Sequence, residues 1–239
     1  MKIILESNKV NKNLYSKLYS DIHYVPGDNL NYLKKELENI SYYKPDYIFF
    51  LGDLVDDSIY NLKQLRDFIE LLAQMTKYSK VILILGNHDQ LTKQITGKWY
   101  EYYNLDLVHA LKNSGITVLE NEFYTDDNLC VYGNQFPGMY YEDKEPTEVF
   151  INSIQKISFD NPNTFNILLE HSPKHTFDGY TMELLPNVDL VLAGHYHNGC
   201  IPWYIGKFIP GNRGLIDPYK ELFPQNAREK NKLLMNVTE

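Results

Sequence analysis

The sequence predicts an α/β fold of two packed sheets flanked by helices, and two observations carry that expectation. Tyr47 to Leu51 and Val81 to Leu85 are unbroken apolar runs, the pattern of strands buried on both faces of a sheet. Such runs alternate with stretches of helical periodicity, which supply helices to cover the sheets. In chain order, Asn29 to Tyr43 sets Leu30, Leu33, Leu37 and Ile40 on one helical stripe, and Pro45 ends it. Leu62, Leu65, Ile69 and Leu72 mark a second amphipathic helix, and Tyr100 to Asn113 is predicted as a third. Ile116 to Leu119, Glu122 to Thr125 and Leu129 to Tyr132 read as short strands separated by turn-like residues. Glu148 to Ile157 is predicted helical, and Phe165 to Leu169 and Val188 to Ala193 are further apolar strands. Beyond Gly199 the chain is rich in Gly and Pro, and no element is assigned there.

A chain of 239 residues with 44% hydrophobic and 23% charged residues fits one globular domain, 1–239, able to bury its own core. Its apolar runs are short against the about 20 residues a membrane-spanning helix needs. The opening MKIILESNKV is too short an apolar stretch for an export signal, so the chain as given is expected to be cytoplasmic. A net charge of −8 argues against broad capture of nucleic acid, which relies on basic patches. Cys130 and Cys200 are expected to be free buried thiols. The 20 tyrosines carry no motif.

The chemistry-bearing residues sit where strands end. Ser20-Asp21-Ile22-His23, Gly52-Asp53 and Gly86-Asn87-His88-Asp89 each follow directly on a strand or turn. Phe165 to Leu169 leads to His171, and Val188 to Ala193 leads to Gly194-His195-Tyr196-His197. The carboxyl ends of strands form the ligand crevice of an α/β sheet, and Gly lets the backbone turn sharply there. Imidazole, carboxylate and amide oxygen together suit Mn, Fe or Zn rather than Ca. Asp21, His23, Asp53, Asn87, His171, His195 and His197 are too many ligands for one tetrahedral ion. Two divalent metal ions about 3.5–4 Å apart fit better, with one carboxylate bridging them and a shared water activated to hydroxide by the metals. Asp53 is the natural bridge.

The ordered set DxH, GDxxD, GNHD, a lone His and GHxH, from about residue 18 to 199, resembles the calcineurin-like metallophosphoesterase superfamily. That resemblance implies a four-layer α/β/β/α sandwich of two mixed sheets. By matching position, it places Asp21, His23 and His197 with Asp53 in one metal site, and Asn87, His171 and His195 with Asp53 in the other. It makes His88 the catalytic histidine, whose ring the neighbouring Asp89 could orient. It implies hydrolysis of a phosphate ester, with a metal-bridging hydroxide as nucleophile and His88 assisting the leaving group. The segment from Gly194 to Ala227 resembles a bacterial subgroup with a GHxHGGQxxxP-like stretch, although Asn198-Gly199-Cys200 stands where Gly-Gly-Gln is common. This favours a phosphodiester over a monoester. Members of the subgroup usually continue with another strand-forming segment, and many begin with a membrane anchor. Both are expected to be missing here, which would make the chain a shortened form, membrane-associated when whole, with an exposed sheet edge.

Single residues carry plainer alternatives. His109 and His175 are assigned structural roles. Asp56 could steady a metal-ligating histidine or cap the next helix. Arg213, in GNRG, is a candidate phosphate clamp, with a loop salt bridge as its alternative. Tyr140, Tyr141, Trp203 and Tyr204 could line an apolar groove for a lipid-linked or nucleotide-linked phosphodiester, or simply pack; the expected partner is a small-molecule or lipid-linked phosphoester. A non-catalytic scaffold on the same fold and a nuclease are the rival functions.

Overall fold

The structure, a computed structural model, describes residues 7–56, 61–95, 98–103, 105–135, 148–173, 184–185, 187–195, 226–229 and 232–236. The elements run β1 (Ser16–Tyr19), α1 (Asn31–Tyr43), β2 (Tyr47–Leu51), α2 (Leu62–Met75), β3 (Lys80–Ile84), β4 (Gln90–Ile95), β5 (Lys98–Tyr103) and α3 (Leu105–Asn113). They continue with β6 (Thr117–Val118), β7 (Glu122–Thr125), β8 (Leu129–Asn134), α4 (Glu148–Gln155), β9 (Phe165–Glu170), β10 (Leu190–Ala193), β11 (Asn226–Glu229) and β12 (Lys232–Asn236). One sheet has the order β1-β2-β3-β6 with every pair parallel. The other has the order β11-β12-β10-β9-β8-β7, antiparallel at its two outer pairs and parallel between.

The side-chain alternation of the strands builds the layers. Tyr47, Phe49 and Leu51 of β2, with Ile82 and Ile84 of β3, meet Leu129, Val131, Ile167, Leu169, Leu190 and Leu192 of the second sheet. The opposite face of the first sheet, Ile48, Phe50, Val81 and Leu83, packs on Leu33 and Ile40 of α1, Leu65, Phe68 and Leu72 of α2, and Leu107 and Leu111 of α3. Tyr132, Leu168 and Val191 turn the outer face of the second sheet to Ile154 of α4. The result is the α/β/β/α order. Removing β2 side chains from water on both faces explains why that strand has no polar residue.

Two expectations need correction. The helix expected from Tyr100 starts only at Leu105, because Lys98–Tyr103 pairs antiparallel with Gln90–Ile95 as a separate two-stranded ribbon. Four aromatics in six residues favour a strand over a helix there, and the helical stripe comes from Leu107, Val108 and Leu111 alone. The strand-forming segment expected to be missing is present: β12 adds parallel to β10, and β11 folds back on β12. The β10 edge is therefore covered.

The turn between β7 and β8 is held by Asp126. Its carboxylate accepts from Tyr47 Oη at 2.7 Å, Tyr124 Oη at 2.9 Å, and the Asn128 and Leu129 N–H groups at 2.8 and 3.1 Å. Burial pushes this carboxyl up, but the Tyr47 hydroxyl and the other donors hold it below the ordinary carboxylate range. A depressed folded pKa contributes stability above the unfolded value, and that contribution is lost as pH falls through about 4 and below. Asp126→Ala is expected to cost about 1–3 kcal/mol at neutral pH, with the gap from wild type closing on acidification in urea titrations. A gap constant with pH would refute the assignment.

Candidate metal centre

The site lies at the carboxyl ends of the parallel strands of both sheets. Past β1 and β2 the two chains stay side by side: Asp21 N–H donates to Gly52 O at 3.0 Å and His23 N–H to Asp53 O at 3.0 Å, and Tyr24 bridges Val55. Asp21, His23, Asp53 and His195 all hold positive φ, at 55, 48, 50 and 73 degrees. Left-handed backbone costs a non-Gly residue about 1–2 kcal/mol, so four such residues at one locus mark strain kept for the sake of the site.

Asp53 is the centre of the arrangement. It is only 1% exposed. Its Oδ1 accepts the His88 N–H at 2.8 Å, and its Oδ2 lies 3.1 Å from His171 Nε2 and 3.6 Å from His23 Nε2. His171 reaches across from the second sheet, its Nδ1 2.6 Å from Leu51 O of the first. An Nδ1–H given to that carbonyl turns Nε2 toward Asp53 as the ligating atom of the neutral ring. His195 closes the other crossing: its N–H donates to both Asp21 carboxylate oxygens at 3.1 and 3.0 Å, and Gly194 N–H donates to His171 O at 2.9 Å. The Ser20 hydroxyl donates to the same Asp21 carboxylate.

Two clusters result. The ligand atoms of His23, Asp53 and His88 lie within 4.8 Å of one another, as do those of Asp53, His171 and His195. Asp53 is common to both. A calcineurin-like phosphoesterase family model matches residues 17–199. The chain belongs to that family.

Among curated metallophosphoesterases, the chain is 28% identical over 190 residues to a transmembrane protein with metallophosphoesterase domain of Danio rerio, covering 76% of this chain and 40% of that protein. It is 28% identical over 205 residues to an uncharacterized metallophosphoesterase of Campylobacter jejuni, covering 82% and 47%, and 27% identical over 215 residues to one of Aquifex aeolicus, covering 87% and 72%. The chain thus spans less than half the length of the first two. The crystal structure of a dimetal phosphatase from Danio rerio aligns at 11% identity and a TM-score of 0.46, covering 94% of this chain and 87% of that one, a score too low to carry a conclusion.

For this metallophosphoesterase domain, the donor set fits divalent ions. Asn87 Oδ1 is buried and has no hydrogen-bond partner among the described residues, as expected of an amide oxygen reserved for a cation. Burial pushes the Asp53 carboxyl up, yet the adjacent His171 imidazole and the His88 N–H hold it well below the ordinary range. Burial lowers His171, and the Asp53 carboxylate more than offsets this, to about 9. The same closeness of a buried carboxylate to imidazole nitrogens suits a divalent cation, whose binding would require the His171 ring to be neutral.

Several expected residues are placed differently or not described. Asp89 does not orient the His88 ring: its carboxylate accepts Leu54 and Val55 N–H at 2.9 and 3.1 Å and Gly86 N–H at 2.9 Å, tying two ligand-bearing turns together. Burial, then the charge of Asp53, pushes Asp89 up to about 7. The His88 ring is fixed instead by Nδ1, 2.6 Å from Asp56 O. Asp56 Oδ1 lies 3.4 Å from His23 Nδ1, and Asn61 caps α2, so Asp56 takes the first of its two readings. Asp21 is buried at the site but belongs to neither cluster above. His109 is exposed on α3, and Cys130 is a half-buried free thiol. His175, His197, Cys200, Arg213, Tyr140, Tyr141, Trp203 and Tyr204 lie outside the described residues. Among the described residues no helix is long and apolar enough to cross a membrane.

The glycines do more than turn the chain. A Cβ on Gly86 would lie 2.1 Å from Asp53 Oδ1, and one on Gly194 1.8 Å from Ser20 Oγ. Neither has positive φ among the glycines so identified; they are needed because the loops touch.

Proposed function

We propose that this chain is a dinuclear metal-dependent hydrolase of phosphate esters, with a phosphodiester favoured over a monoester. The observation that supports this most is that one buried carboxylate, Asp53, is shared by two histidine clusters. Asp21, His23 and His197 with Asp53 would hold one ion, and Asn87, His171 and His195 with Asp53 the other. Such ions, Mn, Fe or Zn, would supply neutralisation of phosphate charge and a hydroxide nucleophile at neutral pH. The chain's own residues do the rest. Leu51 O orients His171, Asp56 O orients His88, and the backbone N–H of His88 orients Asp53. His88 is exposed at the crevice. In its imidazolium form Nδ1–H would serve Asp56 O, and the second ring N–H would be able to donate to the departing alkoxide oxygen.

The diester preference rests on the Gly194 to Ala227 resemblance. A lipid-linked substrate beside water-soluble ones rests on the sequence reading of Tyr140, Tyr141, Trp203 and Tyr204 as groove residues. The test is hydrolysis of paired chromogenic mono- and diesters by metal-stripped chain reloaded with Mn, Fe, Co, Ni or Zn. Restored activity with the diester ahead is expected. A folded chain inactive with every metal would leave a binding scaffold. His88→Ala should retain metal and lose turnover by about 10²–10⁴-fold; metal loss in proportion to activity would make His88 a ligand instead.

A further inference from the structure

Gln135 follows β8 in the second sheet, is buried, and belongs to neither ligand cluster. Its side-chain amide pairs with both backbone groups of Leu85 in the first sheet: Leu85 N–H donates to Oε1 at 3.3 Å, and Nε2 donates to Leu85 O at 3.3 Å. Leu85 is the residue immediately before Gly86-Asn87-His88-Asp89. Up to that point the β3 edge is served by β6, with Leu119 N–H bonded to Leu83 O at 2.9 Å. At Leu85 the Gln135 amide, which carries one acceptor and one donor like a peptide group, takes the next place in the ladder.

Two further features hold the amide there. A Cβ on Gly133 would lie 2.3 Å from Leu119 Cβ and 2.9 Å from Ile84 Cγ2, so the end of β8 approaches β3 as closely as it does only because residue 133 has no side chain. The Gln135 N–H donates to Asn121 Oδ1 at 2.9 Å, and Asn121 N–H donates to Gly133 O at 3.0 Å, which locks the backbone from which the amide projects.

We propose that Gln135 is a positioning residue: by pairing its amide with Leu85 it fixes the strand end from which Asn87 and His88 are presented to the metal centre. Its kinetic consequence rests on the phosphoesterase reading; its metal-binding consequence rests only on Asn87 being a ligand.

The test uses the full chain carrying Gln135→Met, which keeps the volume and removes both hydrogen bonds. Mn²⁺ binding followed by calorimetry should show one of the two sites weakened by about 10–100-fold and the other by less than about threefold. Turnover of the preferred chromogenic ester should fall by about 10–100-fold with KM within about threefold of wild type, since the displaced groups act on bound substrate. A folded Gln135→Met chain whose melting temperature drops while metal affinities and kcat stay within about twofold of wild type would overturn the proposal, because Gln135 would then serve stability alone. If Gln135→Met does not fold, Asn121→Gly decides: it removes the anchor of Gln135 while easing a φ of 61 degrees, so it should fold and show the same selective weakening to a smaller degree. If wild type binds two ions and hydrolyses no ester, the function reading fails, and the calorimetric arm still decides the role of Gln135.

Discussion

Replacing Asp53 with alanine should strip both metal positions at once and lower turnover on the order of a thousandfold. The carboxylate lies 3.1 Å from His171 Nε2 and 3.6 Å from His23 Nε2 through one oxygen, and accepts the His88 N–H through the other. Without it, imidazoles from both sheets converge on a buried space with no shared anion, and a divalent ion placed there would lose its main charge compensation. The His88 N–H would also lose its acceptor, at about 1–3 kcal/mol. Metal content after dialysis, measured beside turnover, checks this. Retention of one equivalent of metal would show that Asp53 serves a single position, and the dinuclear reading built on a shared carboxylate would fall.

The fold was legible wherever burial dictates residue type. β2, and β3 from Val81 onward, are apolar because one face meets α1 and α2 and the other meets the second sheet, and that pattern is readable in any single sequence. The β4–β5 ribbon was not, because Gln90–Ile95 and Lys98–Tyr103 mix polar, charged and aromatic residues without the signature of either burial on two faces or a helical stripe. β12 was missed for another reason. Lys232–Asn236 has only Leu233, Leu234 and Met235 as its apolar content, and what makes it a strand is the open edge of β10, supplied by residues some forty positions earlier.

Short blocks of donors after several strands are visible in the sequence, and the structure brings five of those residues, Asp53, His23, His88, His171 and His195, together in two groups. The orienting partners were less readable. Leu51 O and Asp56 O, which aim His171 and His88, are backbone groups with no residue identity to detect. Asp89 stands next to His88 in the sequence, yet in a tight turn adjacent side chains diverge, and its carboxylate meets the N–H groups of Gly86, Leu54 and Val55. Gln135 lies 50 residues from the backbone it pairs with, so no local pattern could have found it. The four left-handed residues at the site are invisible in sequence because Asp and His do not advertise positive φ as Gly does.

Gly52→Ala should cost about 3–5 kcal/mol, a large part of a domain's usual margin, and with it the metal centre. Gly52 holds φ at 93 degrees, and a Cβ there would lie 2.6 Å from Gly86 N, 2.7 Å from Gly86 Cα and 2.6 Å from His171 Nδ1. The first two are backbone atoms of the turn tied to Asp89, and the third is held by Leu51 O. None can give way without moving Asp53, Asn87 or His171. Gly27→Ala separates the two contributions, since Gly27 holds φ at 103 degrees with nothing within 4 Å of an added Cβ. It should cost only the conformational part, about 1–2 kcal/mol. The difference between the two variants in urea titrations therefore measures how tightly the Gly52 and Gly86 turns are pressed together. If the two cost the same, the turns have room to separate, and the spacing of Asp53, Asn87 and His171 must be set by the ions when they bind rather than by the fold beforehand.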